Sequence, residues 1–298
     1  MSIDTKKWEG TFVALATPFA DGKLDEAAYA KLCEEVLAEG CEGLVPCGTT
    51  GETPALTVDE QDRCVRIAVE VARGKGAPVI AGAGSNSTAE TIESVRRVKA
   101  AGADAALVVT PYYNKPTQAG MVAHYRAIAQ AVPGFPIVAY VVPGRTASDL
   151  LPETYPALAE IEEIVAVKEA TASMQRVIDI RERVGDRFSL LSGDDFTVFP
   201  FIACGGRGVI SVSANVAPKL FSDLVRAALR GDLETARELQ VRLNPLHRAL
   251  FLESNPIPVK AGLHMLGRFA DEMRLPLTPA TESTREALRA AFTALGLA

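Results

Sequence analysis

Residues that hold metals are few in this chain, and they are poorly spaced for it. There are three histidines, His124, His247 and His264, and five cysteines, Cys33, Cys41, Cys47, Cys64 and Cys204. No C-x-x-C pair, no H-E-x-x-H and no histidine at zinc-ligand spacing occurs, so no metal site is expected. The odd cysteine count points to reduced, small apolar residues. The histidines lie in segments of helical pattern and read as packing or surface residues.

An excess of positive charge is also missing. Thirty-one basic residues against thirty-seven acidic ones give a net charge of -6, and no Lys/Arg cluster stands out. Nucleic acid and anionic membrane surfaces are therefore not expected partners. No uninterrupted apolar stretch approaches the roughly 20 residues that span a bilayer, and Met1 to Gly10 is polar, without the apolar core of a signal peptide. The expected location is the cytoplasm. A chain of 298 residues, 48% hydrophobic and 23% charged, is neither disordered nor collagen-like and can bury one large core or two small ones.

Nucleotide-binding turns are absent as well. The first strand candidate ends in Ala16-Thr17-Pro18-Phe19, which is not a glycine-rich turn. Gly82-Ala83-Gly84 supplies half of a dinucleotide fingerprint but lacks the third glycine. Gly48 to Glu52 lacks the spacing and the Gly-Lys pair of a P-loop.

What is present is a repeated alternation. Eight short apolar runs, Phe12 to Ala16, Gly43 to Cys47, Pro78 to Ala81, Ala105 to Val109, Pro136 to Tyr140, Ile164 to Lys168, Ser189 to Leu191 and Gly208 to Val212, read as strands. Helical periodicity fills the intervals, as in Val65, Ala68, Val69 and Ala72. Thr57 with Glu60 and Ser87 with Glu90 have the form of capping boxes, and Pro152 suits a first helical turn. Strands recur mostly every 25 to 35 residues or so, the length of one βα unit. Eight units in about 210 residues predict a closed (β/α)8 TIM barrel over residues 1–231, followed by a C-terminal α-helical region over 232–298 that packs against it.

In such a barrel the chemistry sits at the C-terminal ends of the strands. The reactive residue types gather there: Thr49 and Thr50 after strand two, Tyr112 and Tyr113 after strand four, Tyr140 and then Arg145 at strand five, Lys168 closing strand six, and Gly193 after strand seven. Lys168 ends the apolar run Ile164-Val165-Ala166-Val167. An ammonium there either snorkels to water or sits in a dry site where its pKa falls and the amine becomes a nucleophile. A lysine nucleophile needs a carbonyl substrate and a nearby proton carrier, a role for Tyr140, Thr49 and Tyr113. The threonine pair can hold a 2-oxo acid's carboxylate, and Arg145 offers a fork for a second one. Nothing in this set calls for a metal or an organic cofactor.

Taken in order, Gly48-Thr49-Thr50-Gly51-Glu52, Thr110-Pro111-Tyr112-Tyr113-Asn114, Tyr140 with Pro143 and Arg145-Thr146, Val167-Lys168-Glu169-Ala170-Thr171, Leu191-Ser192-Gly193-Asp194-Asp195, Gly208-Val209-Ile210-Ser211 and Asn255 to Lys260 resemble the pyruvate-dependent class I aldolases and lyases, the family typified by dihydrodipicolinate synthase. The resemblance implies a lyase of lysine and diaminopimelate synthesis with pyruvate and L-aspartate-4-semialdehyde as substrates. It gives Lys168 the Schiff base, Tyr140 the proton transfer, and Thr49 and Tyr113 the rest of a relay, with Tyr113 entering a neighbouring subunit's site. Thr50, Gly193 and the backbone at Ile210 would bind pyruvate, and Arg145 the carboxylate of the semialdehyde. It also implies a homotetramer built as a dimer of dimers. Asn86, Glu90 and Tyr112 match an effector pocket of lysine-inhibited members, but Val58 and Gln61 stand where those often carry histidine, so lysine inhibition is expected to be weak or absent. Val141 replaces the usual asparagine and, by strand alternation, should point away from Tyr140. A sister Schiff-base aldolase for N-acetylneuraminate or a keto-deoxy sugar acid, and a non-catalytic regulatory barrel, are the alternative readings.

Overall fold

The computed structural model describes residues 5–297, so Met1 to Asp4 of the polar N-terminal stretch, and Ala298, lie outside the described residues. Eight parallel strands form one sheet: β1 (Gly10–Ala14), β2 (Gly43–Val45), β3 (Ile80–Gly82), β4 (Ala105–Val109), β5 (Ile137–Val141), β6 (Ile164–Glu169), β7 (Ser189–Ser192) and β8 (Gly208–Ser211). The order is β2-β1-β8-β7-β6-β5-β4-β3, and a parallel bridge between Leu44 and Val79 joins the two ends. The ring is the expected (β/α)8 barrel. A two-strand hairpin, Phe19–Ala20 with Lys23–Leu24, follows β1.

Helices α1 (Glu26–Ala38), α2 (Val58–Arg73), α3 (Thr88–Ala100) and α4 (Gln118–Ala131) follow the first four strands. After β5 come a short α5 (Pro143–Thr146), a 3-10 turn at Pro152–Thr154 and α6 (Tyr155–Ala159). Helices α7 (Met174–Val184), α8 (Val198–Ala203) and α9 (Pro218–Leu229) follow β6, β7 and β8. Thr57 and Glu60 form the full capping box at α2. At α3 only half of one forms: Ser87 accepts from the Glu90 amide, while the Glu90 carboxylate takes the Ser85 hydroxyl.

The strands are buried on both faces, which is why they read as continuous apolar runs. Alternate residues separate into two layers. Phe12, Ala14, Val45, Leu107, Val138, Tyr140, Ala166, Leu191 and Ile210 form the inner cluster, with Trp8 beneath them. Val13, Leu44, Val108, Ala139, Val141, Val167 and Val209 face the helices in the larger outer cluster. That outer cluster continues into α10 (Leu233–Leu250), α11 (Ile257–Met265) and α12 (Glu282–Leu295) through residues such as Leu243, Leu246, Val259, Leu288 and Phe292. The C-terminal helices share the barrel's core rather than building one of their own.

Gly82 belongs to this packing and not to a nucleotide turn. A Cβ at Gly82 would lie 1.8 Å from the carbonyl oxygen of Cys47, so β3 can lie against the end of β2 only without a side chain there.

Candidate active site

Two strand positions create the centre of the site. In the register of β5 with β6, Tyr140 and Lys168 are paired, and each follows an inward residue by two, Val138 and Ala166. Alternation therefore turns both side chains into the barrel. Lys168 Nζ lies 4.4 Å from the centre of the Tyr140 ring. The next residue, Glu169, turns the other way, where it accepts from Arg176 Nε at 2.8 Å and from the Tyr155 hydroxyl at 3.2 Å.

Lys168 is 7% exposed. Burial lowers its pKa from 10.5 to about 8; the carboxylate of Asp195 pulls it back up, and the Arg145 charge pushes it further down. Removing a cation from water is the dominant effect. Tyr140 responds in the opposite sense. Burial raises its pKa, against the nearby Arg145 charge and the Thr49 hydroxyl, which lower it. A partly neutral amine thus stands beside a protonated phenol.

The other strand ends supply shape and hydrogen bonds. Thr49 and Thr50 lie in a 3-10 turn, Thr49–Gly51, that follows β2. Thr50 is buried, and its Oγ1 accepts from Asn255 Nδ2 at 3.0 Å. Gly193 lies directly behind the lysine: a Cβ there would come within 2.5 Å of Ala170 Cβ and 3.1 Å of Lys168 Cε. Ile210 is buried in β8. Arg145, exposed on α5, donates from Nη2 to the Asn255 carbonyl at 3.3 Å. Val141 is buried in the outer layer, directed away from Tyr140.

Tyr113 is the residue the fold does not bring to this centre. It is 88% exposed and holds a left-handed φ of 71°, a conformation uncommon for an aromatic residue. A cavity of about 710 Å³ opens beside Thr49, Tyr140 and Arg145 and extends to Val58, Gln61 and Glu90 at the rims of α2 and α3. Tyr112 also lines it. Asn86 is not part of the lining; its carbonyl accepts from Asn114 Nδ2 at 2.9 Å.

Three residues joined to this site carried no assigned role in the sequence reading. Asn255 contacts both Thr50 and Arg145. Lys260 forms a buried ion pair with Glu52 at 2.5 Å. Asp195, 1% exposed, accepts from the amides of Val212 at 3.1 Å and Ser213 at 2.8 Å, fixing the loop that leaves β8. Their motifs were visible in the sequence, but contacts spanning 17 to more than 200 residues were not. The histidines take packing roles: His124 and His247 are buried against Thr88 and Ser213 hydroxyls. Among the described residues, no group of three or more His, Cys, Asp or Glu has metal-holding geometry.

Known proteins match this arrangement over nearly the full chain. The sequence profile described as the dihydrodipicolinate synthetase family matches residues 7–295. A 4-hydroxy-tetrahydrodipicolinate synthase from Anaeromyxobacter sp. is 55% identical over 290 residues, 97% of this chain and 98% of the relative. Dihydrodipicolinate synthase from Aquifex aeolicus superposes with a TM-score of 0.94 at 44% identity, over 97% of this chain and 98% of that one. The chloride-inhibited dihydrodipicolinate synthase from Acinetobacter baumannii, solved in complex with pyruvate, gives a TM-score of 0.94 at 44% identity, over 97% of this chain and 99% of that one.

Proposed function

The chain belongs to the dihydrodipicolinate synthetase family, and from that premise we propose that it condenses pyruvate with L-aspartate-4-semialdehyde to 4-hydroxy-tetrahydrodipicolinate, in lysine and diaminopimelate synthesis. The observation that carries this reading is Lys168, a buried amine with a pKa near 8 packed on the Tyr140 ring.

At pH 7 about a tenth of Lys168 is neutral, enough to act as a nucleophile. Its nitrogen attacks the keto carbon of pyruvate, and loss of water gives the iminium. Tyr140 protonates the departing hydroxyl and then takes a proton from the methyl group, forming the enamine. Thr49 and Tyr113 extend the proton path. The enamine attacks the aldehyde carbon of the semialdehyde. The semialdehyde's amino group then adds to the iminium carbon, closing the ring and expelling the Lys168 amine. The Thr50 hydroxyl and the Ile210 backbone hold the pyruvate carboxylate, Gly193 leaves space for it beside the lysine, and Arg145 binds the second carboxylate.

Tyr113 completes the site of a neighbouring subunit. Its exposure and left-handed backbone support this, because a loop held in an unfavourable shape to present one ring to solvent has a use for that ring elsewhere. The assembly is a homotetramer, a dimer of dimers. Residues 1–231 act as the catalytic barrel, with 232–298 bracing it. The cytoplasm as location is supported by five free thiols, four of them buried. Asn86, Glu90 and Tyr112 mark an effector crevice which, with Val58 and Gln61 in place of histidine, responds weakly or not at all to lysine.

The test is turnover of the two substrates, coupled to the NADPH-dependent reductase that consumes the product, with Lys168→Ala as the blank. NADPH loss in the wild type alone is the expected result. No turnover, together with a borohydride-reducible pyruvate adduct, would assign a sister aldolase acting on another aldehyde. No turnover and no adduct would remove the catalytic reading.

A further inference from the structure

Asn255 touches both carboxylate-binding residues of the proposed site. Its side-chain Nδ2 donates to Thr50 Oγ1, and its main-chain carbonyl accepts from Arg145 Nη2. The partners are 205 and 110 residues away, so these bonds tie the C-terminal region across the mouth of the barrel. The same two segments meet again nearby, where Lys260 and Glu52, 2% exposed each, form their ion pair. With both ends of the contact anchored, the Asn255 amide has little freedom to move.

The direction of the Asn255 hydrogen bond matters chemically. A hydroxyl has one hydrogen and two lone pairs. When an amide N–H occupies a lone pair, the Thr50 hydrogen is free to point elsewhere and to donate to an anion. Turned the other way, the amide oxygen would capture that hydrogen, and Thr50 would face a carboxylate with lone pairs only. Asn255 Oδ1 is buried and has no partner among the described residues. The amide stands with its donor toward Thr50, which leaves the Thr50 hydrogen uncommitted to Asn255.

We infer that Asn255 is a positioning residue for the 2-oxo acid: it keeps the Thr50 hydroxyl as a hydrogen-bond donor to the substrate carboxylate and so sets affinity for the first substrate. This rests on the reading of Thr50 as a pyruvate ligand given above. Asn255 itself acts through Thr50 and not on the reacting atoms.

The experiment is steady-state kinetics of the full chain with pyruvate varied, for wild type, Asn255→Ala, Asn255→Asp, Thr50→Val, Thr50→Ser and the Thr50→Val/Asn255→Ala pair. Asn255→Ala is expected to raise the pyruvate KM about five-fold, with the effect on KM rather than kcat. Asn255→Asp is nearly isosteric but offers only acceptors and a like charge, and should raise it by about fifty-fold. In the Thr50→Val background, Asn255→Ala should add nothing, which a merely structural role would not produce. Thr50→Ser, which keeps the hydroxyl, should stay near wild type. An unchanged pyruvate KM in Asn255→Asp, a loss confined to kcat, or full additivity with Thr50→Val overturns the inference. Should Asn255→Ala not fold, Asn255→Asp and Thr50→Ser decide it. Borohydride trapping separates the two levels: a wild-type adduct with unaltered Asn255 variants removes only this role, and a wild type that traps no pyruvate removes the reading beneath it.

Discussion

In the proposed reaction Lys168 is the nucleophile, and its burial bears on stability as well. Its amine must lose a proton before it attacks, so kcat/KM for pyruvate is expected to rise with pH through a limb near 8 and then level off. A pH–rate profile whose limb lies above 10 would mean an ordinary solvated lysine. The same shift has a stability side. The amine titrates near 10.5 unfolded and near 8 folded, so below about 8 the folded state carries the full penalty of a buried cation, about 3 kcal/mol, and the penalty fades as pH rises toward 10.5. Lys168→Met should therefore raise the Tm most at neutral pH and least near pH 10, as thermal melts across that range would show. Gly193→Ala tests the space behind the amine. Its methyl would press on Ala170 Cβ and Lys168 Cε, and we expect at least a ten-fold fall in kcat. The buried, inward-turned Lys168 was legible as a candidate nucleophile because everything that defines its setting is local: an apolar run, one charge, and a strand's alternation. Asn255 was not, because its meaning lies in two partners more than 100 residues away.

Elements were legible in kind and less so at their ends. Ala105 to Val109 matches β4 to the residue, whereas β1 starts two residues before the apolar run at Phe12, because Gly10 pairs with Gly208 through a backbone that needs no apolar side chain. β6 continues one residue past Lys168, since Glu169 finds partners on the outer side of the sheet. That carboxylate, Arg176 on α7 and Asp149 form a charged cluster that ties β6 to its helix. Arg176→Ala would leave Glu169 buried without its cation and is expected to destabilise the fold by about 3 kcal/mol. Urea melts give the value, and a loss below about 1 kcal/mol would mean that Glu169 is satisfied by Tyr155 and the Thr171 amide alone. Periodicity could announce β6 and α7, but not the ion pair between them.

For the molecule as a whole, the barrel could be read from the count and spacing of eight strands, and the C-terminal helices from the point where that rhythm stops. Their packing against the barrel was expected too, but which residues join its outer apolar cluster, such as Leu243 and Val259, was not readable, because burial against a distant element leaves no local period. With Val58 and Gln61 lining the cavity beside Glu90, L-lysine should leave the rate nearly unchanged, and half-inhibition at or below about 1 mM would overturn that expectation.

On the proposed assembly, Tyr113, turned out to solvent with its left-handed φ, would make each catalytic unit a joint possession of two chains. A Lys168→Ala chain lacks an amine but still lends a sound phenol; a Tyr113→Phe chain keeps its amine and lacks the loan. Co-expressed in equal amounts, the two defective chains should recover roughly a quarter of wild-type turnover, since half of randomly formed pairs are mixed and each mixed pair owns one intact centre. On the proposed assembly, genetic complementation between two dead alleles of one gene would follow from the direction of a single exposed side chain.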